Sequence, residues 1–501
     1  MNPDSAAQQA VEATSRGRHR DAPVCGDAAH VAPCYITPVM PTEIEGSIFY
    51  SCTDVATACN VSRQTIWRWR QEGLIPMGRS RKGRSVAFSA TELEYIRAHA
   101  RQLEGPRAAF PPEVYLDNAA STRPLQIVRD AVLRAMEVDF GNPSSAHGAG
   151  RRARQALEDA RDQVAALVGA DRSHVVFTSG GTEANNLMLR NAQASGIVRL
   201  ITSAVEHSSI LGILDSLPGQ GVEVVMLPVD SNGRIRLEDL VNATIDPSTL
   251  VSLQWANNET GVLQPVLEAA EIVARRGGHF HTDAAQSVGK FAIDFAGSPI
   301  EALTITAHKM HGPQGVGALV VKPAARPRPL MLGGSQERGQ RVGTENFPGI
   351  VGFGVAAEHR LATLRTFIRQ TRSLREMFEA SLRGALRDVR VNGALENRVC
   401  TTGSATIPGV DGQALIAQLD ARGIRVSQSS ACTNMRPEPS YVLRAMGMTE
   451  DDAYSTIRYA MSEDSTFESC SRAVACIAEA AVRLGAAPAG HGVAGIDKEV
   501  A

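Results

Sequence analysis

Ala302-Leu303-Thr304-Ile305-Thr306-Ala307-His308-Lys309-Met310-His311-Gly312-Pro313 joins a short apolar run to one lysine and a Gly/Pro exit. Ala302–Ile305 reads as a buried strand, and the histidine-bearing turn after it holds Lys309 at the strand's end. A lysine fixed in such a turn can form a Schiff base with an aldehyde cofactor. Lysine is ordinarily a solvated surface residue, so the reading depends on what accompanies Lys309 along the chain.

On both sides of this turn, from about residue 112 to 483, strand-like runs alternate with amphipathic helices, the pattern of an α/β domain. Strands are expected at Val175–Thr178, Val198–Thr202, Glu223–Leu227, Leu250–Trp255, His279–Thr282, Leu303–Thr306 and Gly317–Val321. Helices fit between them, among them Arg151–Val168 and Leu267–Arg276. Polar clusters fall at strand ends, where open α/β sheets place ligands. Phe177-Thr178-Ser179-Gly180-Gly181-Thr182-Glu183-Ala184-Asn185-Asn186 reads as strand, glycine turn and helix start. Backbone N–H groups and the Thr182 hydroxyl can surround a phosphate there. Glu206-His207, Asn257-Asn258-Glu259-Thr260-Gly261 and His281-Thr282-Asp283-Ala284-Ala285-Gln286-Ser287 are the others.

A chain of 501 residues is too long for one ordinary domain, and 43% apolar residues support a sizeable core. The formal net charge of -2 excludes a chain that is basic throughout. No run of 18 apolar residues occurs, which argues against a membrane span. The first residues lack a hydrophobic signal core and read as a flexible tail. The eight cysteines form neither a C-x-x-C pair nor a disulfide framework. Free thiols in a cytoplasmic protein, and no metal site, are therefore expected.

Thr53 to Arg70 reads as helix, turn, helix, with Thr53 and Ser62 as caps and Val55, Ala58 or Cys59, Val61, Ile66 and Trp67 as core. Between Val61 and Arg101, nine Lys or Arg stand against three Glu. This stretch resembles the winged helix-turn-helix of the MerR and excisionase type, with Ser62–Glu72 as recognition helix and Arg79–Phe88 as wing. The resemblance implies DNA contacts by Arg63, Gln64, Arg68, Arg70, Arg79, Arg81, Lys82 and Arg84. A small helical bundle whose basic face meets another protein is the other reading.

Further motifs follow in order: Tyr115-Leu116-Asp117-Asn118-Ala119-Ala120-Ser121, Gly141-Asn142-Pro143-Ser144-Ser145-Ala146-His147, Gln336-Glu337-Arg338-Gly339, Arg341-Val342-Gly343-Thr344-Glu345-Asn346, Ser429-Ser430-Ala431-Cys432-Thr433 and Glu438-Pro439-Ser440-Tyr441-Val442-Leu443. With them, Val114 to Thr466 resembles the NifS/IscS-like cysteine desulfurases of the class V aminotransferase family, fold-type I pyridoxal phosphate (PLP) enzymes. The resemblance implies a mostly parallel seven-stranded sheet in a large α/β part (about 125–365). A smaller α/β part (about 366–483 plus the N-terminal strand) would complete the domain at 112–483. A tail at 1–44, the helix-turn-helix unit at 45–105 and a flexible end at 484–501 would make up the rest.

The resemblance also implies roles. Lys309 would hold PLP and move protons, Asp283 would pair with its ring nitrogen, and His207 would stack on the ring. Gln286 and Asn258 would address the ring oxygen and the substrate side. Gly181, Thr182, Thr306 and His308 would hold the phosphate, with Thr344 reaching it from the partner subunit of a homodimer. Arg458 would clamp the carboxylate of L-cysteine. Cys432, in a small polar stretch of loop composition, would take the substrate sulfur as a persulfide and pass it to an acceptor. On residue chemistry alone, Asp283 also reads as a turn or cap residue, His207 as a structural histidine and Arg458 as a surface ion pair at a helix start.

The chain departs from the family pattern at Ser429, at Ser335 and at Ala460-Met461-Ser462-Glu463, which bears on rate and on the choice of acceptor. A cysteine- or PLP-sensing transcription regulator with little turnover, a selenocysteine lyase, and sulfur delivery to nucleic acid remain as other readings.

Overall fold

The computed structural model describes residues 42–44, 47–59, 63–71, 73–80, 86–103, 113–190, 192–428 and 438–489. The chain divides into two compact units at 109/110.

In the first unit, strands β1 (Thr42–Ile44) and β2 (Ser47–Ser51) form an antiparallel hairpin. Residues read as the end of a tail are thus part of a sheet. Helix α1 (Cys52–Ala58) starts at Ser51, whose hydroxyl accepts from Asp54 N while the Asp54 carboxylate accepts from Ser51 N. Ser51, not Thr53, is the cap, because this reciprocal pair satisfies two helix-end groups. Helix α2 (Arg63–Gln71) follows, then β3 (Arg79–Ser80), β4 (Val86–Ser89) and helix α3 (Ala90–Leu103). The sheet order is β1-β2-β4-β3, so β3 and β4 form the expected antiparallel wing.

Val55, Cys59, Ile66, Phe88, Leu93 and Ile96 close the small core. Trp69 joins them and meets the His99 ring edge-on at 5.1 Å, whereas Trp67 is 60% exposed. The expected core tryptophan is therefore the wrong one of the two. Residues three apart share a helix face while neighbours lie about 100° apart, which puts Trp69 beside Ile66 and turns Trp67 outward.

The second unit opens with β5 (Val114–Tyr115), α4 (Gln126–Glu137) and α5 (Gly148–Leu167). An alternation follows: β6 (Val175–Thr178), α6 (Gly181–Leu189), β7 (Arg199–Ser203), α7 (Ser208–Leu214), β8 (Glu223–Leu227), α8 (Leu237–Asn242), β9 (Thr249–Ser252), α9 (Val266–Arg275), β10 (His279–Asp283), β11 (Ala302–Thr306) and β12 (Gly317–Val321). The seven strands lie in the order β6-β12-β11-β10-β9-β7-β8, and only β12 runs antiparallel to its neighbours. Phe177, Ile201, Val251, Leu303 and Ile305 face one core, whereas Val176, Leu200, Leu250, Ala302 and Leu319 face another. Burial on both faces explains why these strands read as continuous apolar runs.

The run expected as a strand to Trp255 leaves the regular ladder after Ser252. Leu253 and Trp255 still donate to His281 O and Asp283 O at 3.1 and 2.9 Å. Those bonds hold the next residues against the end of β10.

Helix α10 (Phe347–Ala385) runs unbroken along α4 and α5 and reaches the last third of the chain. That third contains β13 (Arg390–Val391), β14 (Thr402–Thr406), α11 (Gly412–Asp420), β15 (Ile424–Arg425), α12 (Tyr441–Ala445), α13 (Glu450–Tyr454), β16 (Thr456–Ala460) and α14 (Phe467–Arg483). β13, β14 and β16 form an antiparallel sheet, and β15 pairs in parallel with β5. Arg458, read as lying at a helix start, sits in the middle of β16 and is 2% exposed. The end read as flexible is tied back as far as Ala489, which donates to Ala385 O, and Arg387 N donates to Ala487 O. No helix among the described residues is long and apolar enough to cross a membrane.

Candidate active site

Four of the sheet's strand ends converge on one cavity, and the turn after β11 supplies its lysine. Ala307 to Lys309 make one tight turn, with Met310 N and Gly312 N both donating to Ala307 O at 3.0 Å. His311 adopts φ 67°, a left-handed conformation costly for a residue with a Cβ. It is held by bonds from its N–H to Thr122 Oγ1 (2.6 Å) and between its Nδ1 and Arg123 O (2.7 Å). Gly312 is required because a Cβ there would lie 2.7 Å from Ala307 Cβ. The turn is fixed, and Lys309 lines the cavity with it.

Gly181, Thr182, His207, Asn258, Asp283, Gln286, Thr306, His308 and Arg458 line the same cavity, which opens to solvent. Thr344 is exposed and does not line it. Cys432 lies outside the described residues. On either side of that stretch the chain is anchored beside the cavity. Ser427 and Arg458 exchange backbone hydrogen bonds, Ser440 Oγ donates to Glu259, and Tyr441 OH donates to the Glu206 carbonyl.

Asp283 ends β10 and is 7% exposed. Its Oδ1 accepts from Ala285 N at 2.9 Å and its Oδ2 from Asn185 Nδ2 at 2.8 Å. The same Asn185 nitrogen donates to Ser209 Oγ at 2.8 Å, and Ser209 N donates to His207 Nδ1 at 3.1 Å. That last bond leaves the ring proton on Nε2 in the neutral form. Burial, and then the nearby Lys309 charge, hold the His207 pKa below its ordinary value. Burial and Lys309 also push His308 down to about 4, so it is neutral near pH 7.

The first turn of α6 directs helix-end N–H groups outward at Gly181 and Thr182. Gly180 has φ 154°, and a Cβ on Gly317 would lie 2.8 Å from Gly180 Cα, so the turn packs directly on β12. Arg458 uses Nη2 on Asp117 Oδ1 (2.6 Å) and Nη1 on Asn258 O (3.2 Å), while its Nε has no partner among the described residues. Asn258 Oδ1 is likewise buried without a partner among the described residues. Unpaired buried donors and acceptors are costly, so these atoms are suited to a polar ligand. The donors at α6, the Asp283 carboxylate and Lys309 fit, in turn, a phosphate, a protonated ring nitrogen and an aldehyde.

Asn185, Ser209 and Gln254 belong to this constellation but carry no sequence-derived role. Asn185 stands one helical turn after Thr182, and that spacing was the available signal. Glu206, just before His207, is fully buried behind the cavity and accepts from Ser203 Oγ (2.6 Å) and Gln254 N (3.0 Å). Burial raises its pKa to about 8. In the first unit, Arg63 and Arg68 of α2 are exposed, while Arg70 Nε donates to Met77 O at 2.9 Å. Gln64 and Arg79 are described in backbone only, and Arg81, Lys82 and Arg84 lie outside the described residues.

Residues 114–472 match the Aminotransferase class-V family, and residues 49–98 match a helix-turn-helix domain. A cysteine desulfurase of Nostoc sp. is 40% identical over 373 residues, covering 74% of this chain and 93% of its own. A cysteine desulfurase of Cereibacter sphaeroides is 43% identical over 357 residues, covering 70% and 92%. A solved NifS-like protein superposes with a TM-score of 0.69 at 33% identity, over 74% of this chain and all of that one. Motif order, sheet topology and relatedness agree: the chain belongs to the class-V aminotransferase family, on the branch that contains the NifS-like cysteine desulfurases.

Proposed function

We propose that the chain is a PLP-dependent cysteine desulfurase that converts L-cysteine to L-alanine and passes the sulfur, through a Cys432 persulfide, to an acceptor. The observation that carries this reading is the convergence of Lys309, Asp283, His207 and Arg458 on one cavity in a chain about 40% identical to curated cysteine desulfurases.

PLP, when bound, supplies an electron sink that stabilises negative charge at the substrate Cα. Lys309 holds the cofactor and moves the proton at Cα. Asp283, kept in place by Asn185 and Ala285 N, pairs with the ring nitrogen. His207 packs on the ring, uncharged and with its tautomer set by Ser209. Gly181 and Thr182 at the start of α6, with Thr306 and His308, hold the phosphate. The free N–H groups of Arg458 orient the substrate carboxylate, while Asp117 keeps the guanidinium aligned. Cys432 as thiolate attacks the substrate sulfur. The Cβ–Sγ bond breaks, Cβ gains a proton, and the thiol sulfur leaves as enzyme persulfide, so L-cysteine and thiol become L-alanine and persulfide.

A second copy of the chain would bring Thr344 to the phosphate. In support, Ile127, Met136, Phe140 and Leu332 expose apolar surface, Leu332 at 94%. The first unit is proposed to bind DNA through α2 and its wing, on the strength of the helix-turn-helix match and the exposed Arg63 and Arg68.

The deciding test is alanine and persulfide formation from L-cysteine by the PLP-loaded chain beside Cys432→Ser and Lys309→Ala. Both variants should lose desulfuration, with Cys432→Ser retaining the cofactor. A wild type that makes no alanine, or a Cys432→Ser protein that forms persulfide as well as wild type, would sink the assignment.

A further inference from the structure

We propose that Lys290 is a positioning residue: its side chain locks the Gln286 amide so that an N–H, rather than a carbonyl oxygen, is presented to the Lys309 cavity. The inference rests on the cofactor reading of that cavity.

A glutamine amide can occupy its site in two orientations of nearly the same shape, and only its hydrogen-bond partners decide between them. Lys290 Nζ donates to Gln286 Oε1 at 2.8 Å. On the other side, Gln286 Nε2 donates to Ala119 O at 2.8 Å. Turning the amide over would set its nitrogen against a donor and its oxygen against a carbonyl, so both bonds would be lost. Gln286 and Lys290 are 4% and 6% exposed, which leaves little water to replace either bond. One Nε2 hydrogen is taken by Ala119, and the other remains on a residue that lines the cavity.

The backbone is built to bring the two side chains together. Residues 286–290 form turns, with Lys290 N donating to Ser287 O at 3.0 Å. Gly289 has φ 75°, and a Cβ there would lie 2.8 Å from Arg360 Cγ. Lys290 thereby returns over Gln286, four residues earlier, and also lines a small cavity beside Lys309. A buried lysine is costly and is seldom placed without a partner that needs it.

Around Lys290 stand Lys309, Arg360, Arg458 and the Cys400 thiol; burial first, and then the three cations, lower its pKa to about 7. Ammonium and amine both carry an N–H, so the lock does not depend on the charge. A donor held at the cofactor's ring oxygen favours the anionic form of that oxygen, which is visible in the cofactor's absorbance.

The test is a pH titration of the bound-cofactor absorbance in the full chain loaded with pyridoxal phosphate. Lys290→Met should raise the titration midpoint by about one unit, and Lys290→Arg should recover at least half of that shift. In a Gln286→Leu background, Lys290→Met should add nothing. An unchanged midpoint in Lys290→Met, or shifts that simply add in the double variant, overturns the proposal. Should Lys290→Met not fold, Lys290→Gln, polar but too short to make the same bond, carries the same comparison. A wild type that takes up no pyridoxal phosphate overturns the cofactor reading and this inference together. A wild type that takes it up and a Lys290 variant that titrates identically overturn this inference alone.

Discussion

Asn185 Nδ2 donates to Asp283 Oδ2 at 2.8 Å, joining two residues 98 positions apart in sequence. Because Asn185 also donates to Ser209 Oγ, one fully buried amide aligns the carboxylate proposed for the ring nitrogen and, through Ser209, the His207 ring. A hydrogen bond to a charged group contributes about 1.5–3 kcal/mol. Asn185→Ala should therefore weaken pyridoxal phosphate binding by at least about tenfold. Asn185→Asp should do worse, since it places a second carboxylate against Asp283. Equilibrium binding followed by cofactor absorbance checks both, and equal affinity in wild type and Asn185→Ala would remove the role.

Glu206 gives a pH-dependent stability of known sign. Burial lifts its carboxyl from 4.5 to about 8, so between those values the folded chain holds a proton that the unfolded chain has released. The stabilisation is complete below 4.5 and is lost as pH rises through 8. Wild type should thus lose denaturant resistance from about pH 6 to about pH 9. Glu206→Gln, which keeps an acceptor for Ser203 and Gln254 N, should lose less over that range. An equal fall in the urea midpoint between the two pH values in wild type and Glu206→Gln would show that the buried acid is not its source.

The strands and the lysine turn were legible in sequence because both depend on local order. A strand buried on two faces must be apolar throughout, and a turn after it needs glycine and short polar residues. Arg458 was legible as a motif but not as a strand residue, because nothing local shows that Thr456–Ala460 pairs with β14. The two tryptophans of α2 differ only in phase. Counting three residues on from Ile66 selects Trp69, while treating the run Ile66-Trp67 as one apolar patch selects Trp67. The Asn185–Asp283 and Arg161–Glu337 bonds join residues 98 and 176 positions apart, and nothing local in the sequence pairs them.

DNA binding by the first unit should show in its salt dependence. Each phosphate contact adds about 0.9 to the slope of log affinity against log salt concentration. Arg63→Ala combined with Arg68→Ala should lower affinity for duplex DNA and flatten that slope by about two, without altering alanine formation from L-cysteine. Gel shift or fluorescence anisotropy at several salt concentrations is the measurement. A double variant with the wild-type slope would mean that Arg63 and Arg68 make no phosphate contact.

The loop that carries Thr344 is held to α5 and the edge strand β6 through a buried ion pair. Arg161 Nη1 and Nη2 reach the two Glu337 oxygens at 2.8 and 2.7 Å, with side chains 4% and 1% exposed. Glu337 also accepts from Phe177 N on β6, the strand that leads into the Gly180–Thr182 turn. Glu337 and Arg338 adopt φ 45° and 58°, a left-handed conformation that costs a non-glycine residue about 1–3 kcal/mol. The three bonds to Glu337 offset that strain, so removing them should release the loop as well as destabilise the fold. Arg161→Met leaves the carboxylate buried and unpaired and should cost about 3–5 kcal/mol. Adding Glu337→Gln removes the stranded charge and should recover part of that loss, but it does not restore the two bonds to α5. Pyridoxal phosphate affinity should therefore stay low in the double variant even where urea resistance returns. Recovery of both together would mean that the pair acts through stability alone.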